Sequence, residues 1–194
     1  DTRRFAPPFL KNDAGEDTSE SSYYMGANRN KRSVGLDISK PEGAEIVRRM
    51  AMDADALVEN FKTGSLEKWG LGYEDVLKEK FPRLIHCRVT GFGSDGPLGG
   101  FPGYDAVLQA MCGWFTVNGP PEGSGVRIGI PLVDIGTGLF AANAILAAGL
   151  ERERSGLGQS VEASLFDTGI AFQHPHAPNW FLSGKAPVRV GNAH

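Results

Sequence analysis

The chain has 194 residues, 41% of them hydrophobic and 22% charged, and a formal net charge of −3. That balance is the composition of a soluble globular protein with enough apolar residues for a sizeable core. It argues against a nucleic-acid or anionic-membrane partner, and the longest apolar run, around Leu139 to Leu150, predicts a buried helix short of membrane-spanning length.

In chain order, Asp1 to Asn28 reads as loop: Pro7-Pro8, then Asn12-Asp13-Ala14-Gly15-Glu16-Asp17, then serines, with residues 11–21 expected to be mobile. Arg29, Lys31 and Arg32 form a basic cluster, which fits a solvated surface or a phosphate site. Ser33 to Ile38 alternates like a short strand. A helix follows, with Ser39 as its cap, Pro41 and Glu42 in its first turn, and Ile46, Val47, Met50 and Ala51 as its apolar stripe. Ala56-Leu57-Val58 predicts a buried strand ending in Glu59-Asn60-Phe61. Gly64 to Trp69 predicts a helical turn, and Tyr73 to Lys80 a helix that stops before Pro82.

Leu84 to Thr90 predicts a strand, with His86 as a core histidine. A Gly/Pro-rich loop runs from Gly91 to Gly103, and Tyr104 to Cys112 predicts the next helix. Asp105 there is either the helix's own cap or first-turn acid, or a site residue. Trp114 to Val117 reads as a strand. After the loop Gly119 to Gly123, an apolar run from Val126 stops at Pro131, and a helix is predicted from Ile135 to about Leu150. Arg152 to Gly158 reads as a basic turn, Gln159 to Ala163 as a strand, and Leu165 to Trp180 as a helix interrupted at Pro175.

Strands alternating with helices predict an α/β fold with a largely parallel sheet and flanking helices. Ligands of such sheets bind beyond the strand C-termini, here at the loops opening at Asn60, Gly91 and Pro131. No dinucleotide fingerprint, Walker loop or nucleophile elbow is present. His174-Pro-His176 has no supporting ligand at a metal-site spacing, and no metal is expected. Cys87 and Cys112, far apart, read as reduced thiols of a cytoplasmic protein. Asp1 is not a methionine, and Gly191-Asn192-Ala193-His194 reads as a turn leading onward, so a longer polypeptide is expected.

Asp134 follows Pro131 at the predicted helix start, where free N–H groups and the helix dipole favour an ionised carboxylate. Gly136 and Gly138 remove side chains one turn in, so a ligand could approach the backbone. A reachable carboxylate is what covalent carboxylate catalysis needs, and an ordinary helix cap explains the same residue.

Several blocks carry a resemblance: Asp1-Thr2-Arg3, Asn28 to Val34, Val58-Glu59-Asn60-Phe61, Gly70 to Glu74, Gly103-Tyr104-Asp105, Ser155 to Gln159, and Gly191-Asn192-x-His194. Together, and in this order, they resemble the family III CoA-transferases (the CaiB/BaiF family). Within that family the chain is similar to succinyl-CoA:glutarate and formyl-CoA transferases. The resemblance implies a Rossmann-like large domain, of which residues 1–194 form the central CoA-binding part. An N-terminal unit and a C-terminal small domain would be absent, and the parent would be an interlocked homodimer.

By resemblance Asp134 is the catalytic carboxylate. It would pass CoA from an acyl-CoA to a small carboxylic acid through a mixed anhydride and an aspartyl-CoA thioester. Coenzyme A, as acyl-CoA, would contact Leu36, Asp37, Ile38 and Ser39, then Asn60, Phe61, Lys62 and Lys68, then Gly103, Tyr104 and Asp105. Racemases of the same family carry a histidine where Tyr104 stands. A phenol with a pKa near about 10 is a poor base at neutral pH, so the transferase reading is the stronger; a racemase-type isomerase and a non-catalytic CoA-binding fragment are the alternatives.

Overall fold

The computed structural model describes residues 2–5 and 7–193; Asp1 and His194, at the ends of the first and last motif blocks, lie outside the described residues. The chain divides into two compact units, Asp1–Leu36 and Asp37–His194.

The first unit is more ordered in structure than its composition predicts. β1 (Phe9–Lys11) and β2 (Asp17–Ser21) pair antiparallel, and α1 (Ser22–Ala27) follows directly. The turn between the strands is built by Asn12, whose side-chain oxygen accepts the N–H groups of Ala14 and Glu16 at 3.0 and 2.9 Å. Ser21 caps α1 by accepting the Tyr24 N–H. Arg3 pairs with Glu20, donates to the Tyr24 hydroxyl at 2.7 Å and lies over its ring. The loop expected over residues 11–21 is therefore a hairpin. Its strands are polar, which conceals the alternation that a half-buried sheet shows. Ser33 to Ile38 forms no strand, because alternation without a ladder partner does not make one.

The second unit is built on a three-stranded parallel sheet in the order β3 (Ala56–Glu59), β4 (Ile85–Thr90), β5 (Ser160–Ser164). α2 (Pro41–Ala51) precedes it, with Pro41 at the first position and Lys40 rather than Ser39 at the cap. Its buried residues are Gly43, Ala44 and Ala51, while Ile46 and Met50 are exposed, so the core stripe is rotated from the one expected. α3 (Ser65–Lys68), a π-helical turn over Tyr73–Leu77, and α4 (Lys78–Lys80) complete the crossover from β3 to β4. α5 (Asp105–Met111) and α6 (Leu132–Ser155) make the crossover from β4 to β5. α7 (Leu165–Ala171) and α8 (His176–Ser183) end the unit, separated at Pro175 as expected.

The strand predicted at Trp114 to Val117 is absent as well. Trp114–Thr116 is a 3-10 turn, set by Gly113 at φ 82° and by the buried bond from Trp114 Nε1 to the Gly169 carbonyl at 2.9 Å. The run from Val126 to Ile130 pairs with no strand and is strapped down by Gln109 instead. α6 starts three residues before the predicted Ile135 and reaches Ser155, so the basic stretch at Arg152 is its last turn, where Arg152 and Arg154 suit the dipole. This 24-residue helix is long and apolar enough to cross a membrane by length and composition, contrary to the sequence expectation. One side of it is a core face: Ala141 and Ile145 pack on Cys87, Val161 and Ala163 of the sheet. The other side exposes Ile135, Leu139, Leu146 and Leu150.

A second cluster joins Leu108, Cys112, Trp114, Val133 and Leu165, and so locks α5 against the starts of α6 and α7. Both cysteines are free and buried, and burial raises their pKa values, that of Cys112 to about 11. Leu108 is fully buried at the centre of this cluster. Its truncation to alanine is expected to cost about 2–5 kcal/mol, read as a lower denaturation midpoint at unchanged m-value.

Candidate active site

The parallel strands all point their C-termini toward one cavity of about 620 Å³. Asn60 to Thr63 leave β3 along one wall, Thr90 and Gly91 leave β4 at its floor, and Leu165 follows β5. Gly100 to Tyr104 close the next side, and α6 contributes Asp134 and Gly138. Asp134 and Gly138 are one turn apart on the same helical face, so the missing side chain leaves room beside the carboxylate. Gly136 serves a different purpose from the one expected: a Cβ there would collide with the Phe172 ring, so it lets α6 and α7 approach.

The glycine loop keeps its shape through a narrow neck. Gly91 and Gly103 pass so closely that a Cβ on Gly103 would stand 2.8 Å from Gly91 Cα and 2.7 Å from Leu108. Within the loop, Thr90 Oγ1 accepts the Gly93 N–H at 2.9 Å, and Ser94 donates to Glu162 at 2.7 Å.

Asp134 is the third residue of α6, and Asp105, twenty-nine positions earlier, holds the end of that helix. Asp105 Oδ2 accepts the N–H groups of Val133 at 2.8 Å and Asp134 at 3.2 Å. Its other oxygen accepts from Gln109 Nε2 at 2.6 Å, and Gln109 Oε1 takes the Ile128 N–H at 2.8 Å. One buried carboxylate and one buried amide thus fasten the whole strap from Ile128 to Asp134. The N–H groups expected to favour an ionised Asp134 are occupied by Asp105. The Asp134 pKa is raised, first by loss of water around it and second by the charge of Asp105, although its side chain still reaches the open cavity.

Of the residues proposed from sequence, the structure brings together Asn60, Phe61, Lys62, Gly103, Tyr104 and Asp134 on the cavity wall. Tyr104 is 73% exposed there. Asp105 is buried behind the wall, and Lys68 is exposed on α3 away from the lining. Asp37 and Ser39 hydrogen-bond each other ahead of α2, which lowers the Asp37 pKa, and Ile38 packs into the core under α2. Leu36 belongs to the first unit and is half-buried. Thr63, Thr90, Phe101 and Leu165 were not singled out, although the strand-end rule marks where Thr90 and Leu165 stand.

The family model described as CoA-transferase family III matches residues 1–194. The chain belongs to that family. This family III chain is 42% identical over its full length to the succinate–glutarate CoA-transferase of Agrobacterium fabrum, of which it covers 48%. It is 38% identical to the human succinyl-CoA:glutarate CoA-transferase, covering 42% of that protein. A crystal structure of a CaiB/BaiF family protein from Brucella suis superposes with a TM-score of 0.92 at 42% identity, over all of this chain and 50% of that one. The family III chain therefore spans about half the length of the relatives it matches.

The Asp105 charge has a measurable consequence. Asp105→Asn keeps an acceptor for the α6 N–H groups and removes the charge, so the Asp134 carboxyl is expected to titrate at lower pH, followed by carboxyl carbon NMR. Asp134→Asn is expected to raise Tm at neutral pH. A carboxylate whose folded pKa lies above its unfolded value of about 3.9 is destabilising once ionised, so the gain is full above the folded pKa and vanishes as the pH falls toward the unfolded one.

Proposed function

We propose that the whole protein is a CoA-transferase that moves CoA from an acyl-CoA thioester to a small carboxylic acid, with Asp134 as nucleophile. The observation that carries this reading is that Asp134 is the one carboxylate lining the strand-end cavity among the described residues. Lys62 is the one cation of that lining among the described residues, and it suits a phosphate or a second carboxylate of the substrate. The rest of the wall mixes apolar side chains and glycine backbone with the uncharged polar groups of Asn60, Thr63, Thr90 and Tyr104, which suits a pantetheine arm with its amides. The relatives named for succinate and glutarate make short dicarboxylates the first substrate class to test.

In this reading Asp134 attacks the donor's acyl carbon, the C–S bond breaks, and CoA leaves as thiolate from a mixed anhydride. The thiolate attacks the Asp134 carbonyl and the donor acid departs, leaving an aspartyl-CoA thioester. The acceptor carboxylate attacks the same carbonyl and expels the thiolate. The thiolate then attacks the acceptor's acyl carbon, and Asp134 is restored as carboxylate. The raised pKa makes Asp134 a more basic, and so more nucleophilic, carboxylate at the pH where it is ionised. The uncovered apolar stripe of Ile135, Leu139, Leu146 and Leu150 supports a further chain segment or a second copy on α6, in keeping with a homodimer.

Full-length protein incubated with succinyl-CoA and hydroxylamine is expected to give a hydroxamate on the peptide containing Asp134, read by mass spectrometry. Asp134→Ala is expected to lower transfer by at least about a thousandfold. Transfer at the normal rate by that variant would refute the role of Asp134.

A further inference from the structure

Parallel strands covered on both faces are ordinarily apolar throughout. Here one face departs from that pattern. The register places Leu57, His86 and Ser160 in one row and Glu59, Arg88 and Glu162 in the next. The opposite face carries the apolar set Val58, Cys87 and Val161. Most polar groups of these rows are hydrogen-bonded, while His86 Nε2 is buried without a partner among the described residues. His86, stacked on Tyr73, shares a 2.8 Å hydrogen bond with Ser160. Thr90 donates to Glu162 at 3.1 Å.

The rung at Glu59 reaches furthest. Glu59 is 6% exposed. One of its oxygens accepts from Arg88 Nε at 2.8 Å, and the other accepts the Phe61 N–H at 2.7 Å. Arg88 Nη2 also donates to Glu67 at 2.7 Å, so the guanidinium ties the end of β3 to α3. Phe61 is held from the other side by an edge contact with Trp69, with ring centroids 5.3 Å apart. Burial works against the Glu59 charge. The facing His86 imidazole, at 3.7 Å and beyond hydrogen-bond length, opposes burial together with the Arg88 guanidinium and the Phe61 N–H, and the carboxyl remains below its ordinary pKa. A buried ion pair is weak evidence for stability in itself, which directs attention to what this one orients.

We propose that Glu59 and Arg88 are positioning residues for acyl-CoA: their ion pair fixes the Phe61 backbone and so sets the Asn60-Phe61-Lys62 wall of the cavity. Neither side chain lines the cavity, and neither contacts Asp134. Their effect is on binding that is the same before and during reaction, so it belongs in KM and not in kcat. The kinetic part of the inference rests on the CoA-transferase reading above; the structural part does not.

The test uses the full-length protein and the variants Glu59→Gln, Glu59→Asp and Arg88→Lys. Each keeps a polar group in place, and Glu59→Asp, one methylene shorter, can hold Arg88 or the Phe61 N–H but not both. Folding is checked by thermal denaturation, and the measurements are taken on the variants that fold. Hydrogen exchange at the Phe61 amide is expected to accelerate at least about tenfold, with the β4 amides unchanged. KM for succinyl-CoA is expected to rise about tenfold with kcat within about twofold. An unchanged Phe61 amide overturns the proposal whatever the activity. Faster exchange with an unchanged KM, or with a fall in kcat alone, overturns the binding role. Wild-type protein inert toward acyl-CoA donors would instead refute the transferase reading, with the Phe61 exchange still deciding whether the rung holds the loop.

Discussion

The first N–H groups of α6 have no partner within their own helix, and the chain satisfies two of them from another element. Asp105, at the start of α5, accepts from Val133 and Asp134 while Gln109 binds both Asp105 and the strap that leads to Pro131. A buried helix end left without acceptors would be strongly destabilising, so these bonds fix how two helices meet. Among the described residues none bonds to the carboxylate oxygens of Asp134, so that exposed group is placed by its backbone. The same arrangement places a second negative charge beside it. The site therefore combines firm placement with a carboxylate that is reluctant to ionise.

What the sequence shows well is what local chemistry decides. β3, β4 and β5 are short apolar or alternating runs bounded by turn residues, and each forms within a residue or two of its expected limits. The break at Pro175 and the helical turn after Gly64 follow from proline and glycine alone. Asp134 stands out because a proline and a helix start lie next to it. The hairpin of the first unit was hidden because its strands are polar and its register rests on Asn12 and on the Lys11–Asp17 ion pair. Asp105 could not be resolved between cap and site residue, since the helix it caps is not its own. Such a bond between residues far apart in the chain leaves no periodic trace.

The two faces of the small sheet divide the work. The face toward α6 supplies apolar packing through Cys87, Val161 and Ala163. The other face places carboxylates, a guanidinium, an imidazole and hydroxyls in register, and its last rungs bond to the loops that leave the strands. Glu59 takes the Phe61 N–H, Thr90 takes the Gly93 N–H, and Ser164 caps α7 by taking the Asp167 N–H. Polar side chains in a sheet interior are costly to bury, and here each of these meets a backbone donor where the chain turns away from its strand.

The neck formed by Gly91 and Gly103 gathers both ends of the intervening loop, much as a drawstring gathers cloth, and Ser94 ties the loop to β5 through Glu162. Exposed residues beyond that tie, such as Pro97 and Leu98, can change in size while the strand end and the helix start at the neck stay where they are. Diversity there would change the outer edge of the loop and leave the strand-end cavity undisturbed. A lineage can vary that edge without rebuilding the walls it adjoins.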